Sequence, residues 1–407
     1  MSWRQTKLDD LFEIGSAKRV LKAQWQSEGV PFYRGREITK LSSQGYVDNE
    51  LFISEELYSE YKNKYGVPSS GDIVITAIGT IGNSYIVQDS DKFYYKDASV
   101  LCLKKVSDVD SQFINYWLKS SNMRSQLDEG NGATVDTLTI SKMKSLTIDL
   151  PTLPEQKRIV AILDEAFAGI DQAIANTEKN LASARELFES HINTIFIEKG
   201  EAWETTTLGE VADVEYGFTD KSGSDGDFRY VRITDIDNNG ELTKSNKKYI
   251  SPPVEAEKFV LNDNDLLMAR TGATFAKVLL YKDIEPSIFA SYLIRISFKV
   301  PIKNELYWFF SKSVNYWEQA NSLSSGAAQP HFNGAALKRV IFSYPTSIRE
   351  QEKIIKLFHS MFLKTQNLED AYKHKLASLN ELKQSLLQKA FSGELTADAK
   401  VQAEAAE

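Results

Sequence analysis

Cysteine is nearly absent: Cys102 is the only one in 407 residues. No intramolecular disulfide can form, which fits a reducing cytoplasm. The four histidines, His191, His331, His359 and His374, show no ligand spacing, so no metal centre is expected. Long apolar runs are missing too. Nothing approaches a membrane span, and the opening MSWRQTKLDDLFEI lacks a signal peptide's apolar core. Positive charge is not in excess, since 48 Lys and Arg against 56 Asp and Glu leave a net charge of −8. That balance counts against a protein that coats nucleic acid without specificity. It leaves room for local basic patches, because phosphate attraction fades within a Debye length. Catalytic signatures are lacking as well. There is no Gly-rich loop with dinucleotide or P-loop spacing, no Asn-Pro-Pro-aromatic segment, and no Pro-Asp followed by Glu-x-Lys. The chain is expected not to be an enzyme.

What is present is organised around two long amphipathic stretches. From Thr152 to Glu198, Val160, Phe167, Ile174, Leu181, Phe188 and Ile195 recur every seven residues, with a second seam at Leu163, Ile170, Thr177 and Ala184. A coiled-coil seam of that length needs a partner helix. Thr152 with Glu155 reads as a capping box with Pro154 in the first turn, and Gly200 as a stop. The partner runs from Ser347 to Phe391, with Ile354, Phe358, Met361, Leu368, Tyr372, Leu379, Leu382 and Leu386 in steps of three, four or seven. Ser347 and Glu350 repeat the capping box and Gly393 ends the stretch. The predicted organisation is a globular domain over 1–151, a long helix over 152–199, a second domain over 200–346, a second long helix over 347–393 and a tail over 394–407.

The two globules repeat each other. WRQTKLDDLFEI at 3–14 lies over WETTTLGEVADV at 203–214, and FYRGREI at 32–38 over YVRITDI at 230–236, pairing Arg34 with Arg232 and Glu37 with Asp235. GDIVITAIGTIGN at 71–83 lies over NDLLMARTGATFA at 264–276, and GATVDTL at 132–138 over GAAQPHF at 326–332. Pro151-Thr152 and Pro345-Thr346 then lead into the helices. Drift of the offset is what loop insertions produce. Each globule mixes β-rich runs such as VPSSGDIVITAIGT with aromatic helices, FINYWLKSSNMRSQL and LYWFFSKSVNYWEQA. The fold class is therefore α+β: two similar domains and an antiparallel pair of long coiled-coil helices, related as an internal repeat.

LPTLPEQKRIVAIL at 150–163 and YPTSIREQEKIIKLF at 344–358, each after a globule, make the chain resemble the specificity subunits of type I restriction-modification systems. The second copy departs slightly, with Arg349 where the first has Pro154 and one extra residue. The resemblance implies two target recognition domains, each reading one half of a split double-stranded DNA target. It implies that the helix pair sets the gap and docks two methyltransferase subunits, with restriction and translocase subunits joining them. S-adenosylmethionine and ATP with Mg would then be bound by those partners, and no cofactor by this chain. The rival readings are a coiled-coil scaffold with no DNA role and a self-contained methyltransferase or nuclease.

Reading base edges takes forked donors and amide or hydroxyl groups on loops and strand ends. In the first domain Lys18 and Arg19 form a basic loop for phosphate, or a solvated one. Arg34 and Arg36 alternate along a β-run and face either DNA or a salt-bridged surface. Thr76, Thr80 and Asn83 flank a Gly-punctuated turn, which by itself accounts for such residues. In the second domain Arg232, Arg270, Thr271, Thr274 and Lys277 occupy the matching places. Arg270, beside Thr271 and Gly272, is the foremost candidate because arginine fits guanine with two donors. Gln329 and His331 in a Gly/Pro-rich loop are candidates for adenine or phosphate, or for packing on the helix below.

Overall fold

The computed structural model describes residues 3–128, 137–325 and 331–397. The first globule contributes β1 (Arg4–Lys7), β2 (Phe12–Ser16), β3 (Val30–Tyr33), β4 (Phe52–Ile53), β5 (Ile73–Thr76), β6 (Ser84–Ile86), β7 (Tyr94–Tyr95), β8 (Val100–Lys105) and β9 (Thr147–Leu150). The second contributes β10 (Trp203–Thr207), β11 (Ala212–Tyr216), β12 (Phe228–Val231), β13 (Tyr249–Ile250), β14 (Leu266–Ala269), β15 (Val278–Leu280), β16 (Ser287–Phe289), β17 (Leu293–Phe298) and β18 (Ile341–Pro345). The orders β2-β8-β5-β6 and β4-β3-β7 in the first become β11-β17-β14-β15 and β13-β12-β16 in the second. β1 pairs with β9 as β10 does with β18. The parallel pairing recurs as well, β3 with β7 and β12 with β16. The repeat read from the sequence is thus a repeat of topology and register.

Each central strand is buried on both faces, which explains why it reads as an unbroken apolar run. Alternate side chains serve different cores. Ile73 and Ile75 pack with Phe113 and Trp117, while Val74 packs with Ile38 and Tyr95. In the second globule Leu266 and Met268 face one core and Leu267 and Ala269 another. The aromatic segments differ from expectation in one respect: each is two helices. Ser111–Leu118 is followed by Ser121–Asp128, and Asn304–Phe310 by Val314–Leu323. Serines make the breaks, as their hydroxyls compete for backbone groups. Ser120 donates to the Trp117 carbonyl at 2.7 Å, and Ser313 caps the later helix by accepting from the Tyr316 N–H at 3.2 Å.

The globules diverge on one flank. The first carries helices over Gly35–Gln44 and Glu55–Tyr65, where the second has short 3-10 turns over Ile233–Asp235 and Val254–Phe259. GREITKLSSQG places Ile38 and Leu41 on one face and closes on Gly45 at φ 75°. In the second globule Asn238, Asn239 and Gly240 follow the turn within a few residues, and these residue types stop a helix early.

The long helices span Leu153–Glu198 and Ile348–Ser392. The chain divides into two compact units, one reaching residue 176 and resuming at 375, the other covering 177–374, so each helix contributes to both. In the second unit Phe188 meets Phe362 and Phe196 meets Phe358, an antiparallel order. In the first unit Glu155 accepts from Thr396 and Asp171 pairs with Lys383, again antiparallel. Leu163, Ile170, Phe188 and Phe358 are buried. Val160, Phe167, Ile174, Leu181, Ile195, Ile354, Met361, Tyr372, Leu379 and Leu386 are half-buried.

Two seam assignments are corrected. Leu368 and Leu382 are 46% and 47% exposed. The inward positions beside them are Glu369, paired with Arg185 at 2.9 Å, and Lys383, paired with Asp171. The seam alternates steps of four and three through Phe358, Phe362, Thr365, Glu369, Tyr372 and Leu376, so hydrophobicity alone misplaces it by one residue. Ile159, Ile192, Phe196, Leu387 and Ala390 are also buried, because a helix packed on a globule hides a wider stripe than a two-helix seam.

The Glu-Gln pair at each helix start has a structural explanation. Gln156 accepts from the Asp110 N–H at 2.9 Å and donates to the Pro151 carbonyl at 2.9 Å. Gln351 accepts from the Lys303 N–H at 2.8 Å and donates to the carbonyls of Pro301 at 3.0 Å and Pro345 at 2.9 Å. Both glutamines are almost wholly buried. Each thus fastens a long helix to its entering strand and to the start of an aromatic helix.

Candidate nucleic-acid interface

The ends of three neighbouring strands meet at the same place in both globules. In the first, β2 ends at Ser16, β5 ends at Thr76 and β8 begins at Val100; in the second, the corresponding points are Tyr216, Ala269 and Leu293. The N–H of Ala77 donates to Ser99 at 2.9 Å and that of Arg270 to Tyr292 at 3.1 Å. The returning chain docks there too, Leu138 N–H on the Ala77 carbonyl at 2.7 Å and Phe332 N–H on that of Arg270 at 2.9 Å. His331, exposed, precedes Phe332 and is bridged through its backbone to Ser325. Gln329 lies outside the described residues.

Arg270 projects from this point between two rings, its guanidinium carbon 5.4 Å from the Tyr216 centroid and 5.0 Å from that of Tyr292. Its Nε and the Thr271 hydroxyl are buried without a hydrogen-bond partner among the described residues. Lys18 lies nearby in the first globule's equivalent region, its ammonium 5.7 Å from the Tyr65 centroid. Arg19 is mostly exposed and paired with Asp97 at 2.7 Å.

Other candidates are committed to internal partners. Arg34 and Arg36 do not alternate on a strand: Arg34 caps the helix Gly35–Gln44 and Arg36 lies in its first turn. Arg34 binds both Glu37 oxygens, at 2.8 and 3.1 Å, and Arg36 pairs with Glu37 and Glu50. Burial pushes the Glu37 carboxyl up, but the hydrogen bonds from Arg34 and Arg36 outweigh it and hold it below its ordinary value. Arg232 repeats the pattern, binding Asp235 at 2.8 and 3.1 Å and the Asn246 carbonyl at 3.0 Å. The matched Arg-x-x-acid pairs are therefore helix-start clamps. Thr76 is buried and holds its turn by donating to the Thr80 carbonyl and accepting from the Asn83 N–H at 3.0 Å. Asn83 donates to Thr39 at 3.0 Å, while the side chain of Thr80 is exposed. Thr274 donates to the Ile233 carbonyl at 2.9 Å and Lys277 to Asn238 at 2.8 Å. Tyr216 and Tyr292 were not foreseeable as a pair, since a separation of 76 positions carries no spacing signal and only strand pairing brings them to Arg270.

A pair of half-buried lysines is also repeated. Lys119 and Lys312 follow equivalent aromatic helices. Burial pushes the Lys119 ammonium down, with Lys383 adding to the effect. Burial pushes Lys312 down to about 7 against the pull of Glu241 and Asp237. Its ammonium donates to the Asn239 carbonyl and sits 3.9 Å from the Trp308 centroid. Below about pH 7 folded and unfolded chains both hold this proton, and the cost of the buried charge is present in full. Between about 7 and the ordinary lysine value near 10, the unfolded chain holds a proton that the folded chain has released, so stability rises with pH. Urea unfolding of the wild type and Lys312→Met should show the wild type gaining on the variant by up to about 1.4 kcal/mol per pH unit across that window. A difference that stays flat with pH would contradict the shift.

Among the described residues there is no group of His, Cys, Asp and Glu able to hold a metal ion, and no helix long and apolar enough to cross a membrane. Residues 2–181 and 200–377 each match the type I restriction modification DNA specificity domain, so most of the chain is covered by two copies, and the chain belongs to that family. A putative type I restriction enzyme specificity subunit of Haemophilus influenzae is 32% identical over 189 residues, 44% of this chain and 46% of that one. The StySPI specificity subunit of Salmonella potsdam is 25% identical, covering 71% of this chain and 66% of that one. The match therefore spans about half to two thirds of those two relatives. The EcoBI specificity subunit of Escherichia coli is 24% identical, covering 97% of this chain and 87% of that one. The fold is similar to a chain solved in a study of complex assembly and conformational transition of the type I R-M system, with TM-score 0.77, 17% identity, and 97% and 98% of the two chains covered. It is also similar to the HsdS subunit from Thermoanaerobacter tengcongensis, with TM-score 0.54, 17% identity and 97% of each chain covered.

Proposed function

We propose that the chain is the DNA-reading, non-catalytic subunit of a type I restriction-modification complex, each globule reading one half of a split target. The observation that carries this reading is the duplication. Two modules share strand order and register, differ in the side chains at one strand-end cluster, and each run into a long helix. The helices set the gap between half-sites and offer exposed leucines, including Leu368 and Leu382, to methyltransferase subunits. Those subunits supply S-adenosylmethionine chemistry, and ATP- and Mg-dependent restriction and translocase subunits join them. Purified components test it through methyl incorporation into DNA. The chain alone and the methyltransferase subunits alone should be inert, and the mixture active on one bipartite sequence. Methyl transfer by the pure chain, or an unchanged site preference when it is omitted, would overturn the proposal.

A further inference from the structure

The cluster at the three strand ends has one layout and two sets of side chains. By strand register Ser16 is the counterpart of Tyr216, Ala77 of Arg270 and Ser99 of Tyr292. The second module thus holds an arginine between two tyrosines where the first holds only small residues. The Ser99 hydroxyl in the first module, and Arg270 Nε and the Thr271 hydroxyl in the second, are buried and unpartnered among the described residues. Burying a donor without a partner costs about 1–3 kcal/mol, a cost that a ligand docking at this site would relieve.

Arg270 differs from other arginines that these modules bury wholly or in part. Arg34, Arg229, Arg232 and Arg295 each pair with a carboxylate. Arg270 is held by ring faces instead, and the rings are at the surface: Tyr216 is 41% and Tyr292 50% exposed. Stacking fixes the plane of a guanidinium while leaving its edge donors unspent. A planar, oriented fork at the surface matches the O6 and N7 acceptors of guanine in the major groove.

We infer that Arg270 reads a guanine in the half-site of the second module, and that the Tyr216–Arg270–Tyr292 cluster and its Ser16–Ala77–Ser99 counterpart are the same reading position equipped for different bases. This rests on the proposed function and goes beyond it by naming the base and the residue.

The test uses the full complex with its methyltransferase subunits and duplexes carrying each base in turn at every position of the half-site. The wild type should prefer G·C at one position, and Arg270→Gln should reduce that preference about 10- to 100-fold while other positions keep theirs. Arg270→Lys retains the charge and the ring contacts but loses the fork, so it should also lose the preference while non-specific binding and its salt dependence stay unchanged. If Arg270→Gln fails to assemble, Arg270→Lys decides alone. Retention of every base preference in both variants would overturn the inference. So would a uniform loss across all sequences with a salt slope smaller by about one, the mark of a phosphate contact. A wild-type complex with no bipartite preference would instead defeat the proposed function.

Discussion

A chain lengthened by seven residues after Leu181 and seven after Leu379 is expected to direct methylation to the same two half-sites separated by a gap about three base pairs wider. A heptad insertion preserves the seam, so helices that alternate steps of four and three stay in register. Seven residues add about 10 Å at 1.5 Å per residue, which is about three steps of 3.4 Å along the duplex. Both helices pass from one compact unit to the other, so both must be lengthened together. The original target should lose nearly all methylation. Sequencing of methylated sites reads both effects. An assembled, active complex with an unchanged gap and altered half-site bases would show that the helices are not the spacer.

Replacing Gln351 by alanine is expected to destabilise the second unit by about 3–5 kcal/mol. The side chain is fully buried and closes three hydrogen bonds. Its loss strands the Lys303 N–H and deprives two proline carbonyls, each unsatisfied group costing about 1–3 kcal/mol, and leaves a cavity as well. Gln351→Met fills most of the space without restoring the bonds, so it should be nearly as damaging. Gln156→Ala should act likewise on the first unit, somewhat less because its side chain makes two such bonds. Denaturant unfolding checks all three. A methionine variant close to wild-type stability would mean that packing, not hydrogen bonding, is the role of the motif.

Much of the architecture was legible in the sequence because it is written in period and repetition. Heptad spacing located the helices, and ordered matches between the halves anticipated two globules of one topology. What failed did so where a side chain's partner, not its spacing, sets its role. Leu368 looked like a core residue by hydrophobicity, yet the inward position is Glu369, made tolerable there by Arg185. Arg34, read as facing either DNA or a salt-bridged surface, and Arg232 at the matching place each pair with the acid three residues on. Arg270 could be singled out as a forked donor beside glycine, but the tyrosines that orient it come from the end of one strand and the turn before another. Pairing between distant strands is not encoded in local pattern.

The measurement that bears most directly on the central claim is a genome-wide map of methylated bases in a host supplying the methyltransferase subunits, with and without this chain. The account predicts one bipartite sequence, with two different half-sites and a fixed gap, methylated only when the chain is present. An identical map in its absence would contradict the claim that this chain is the reader of the DNA sequence.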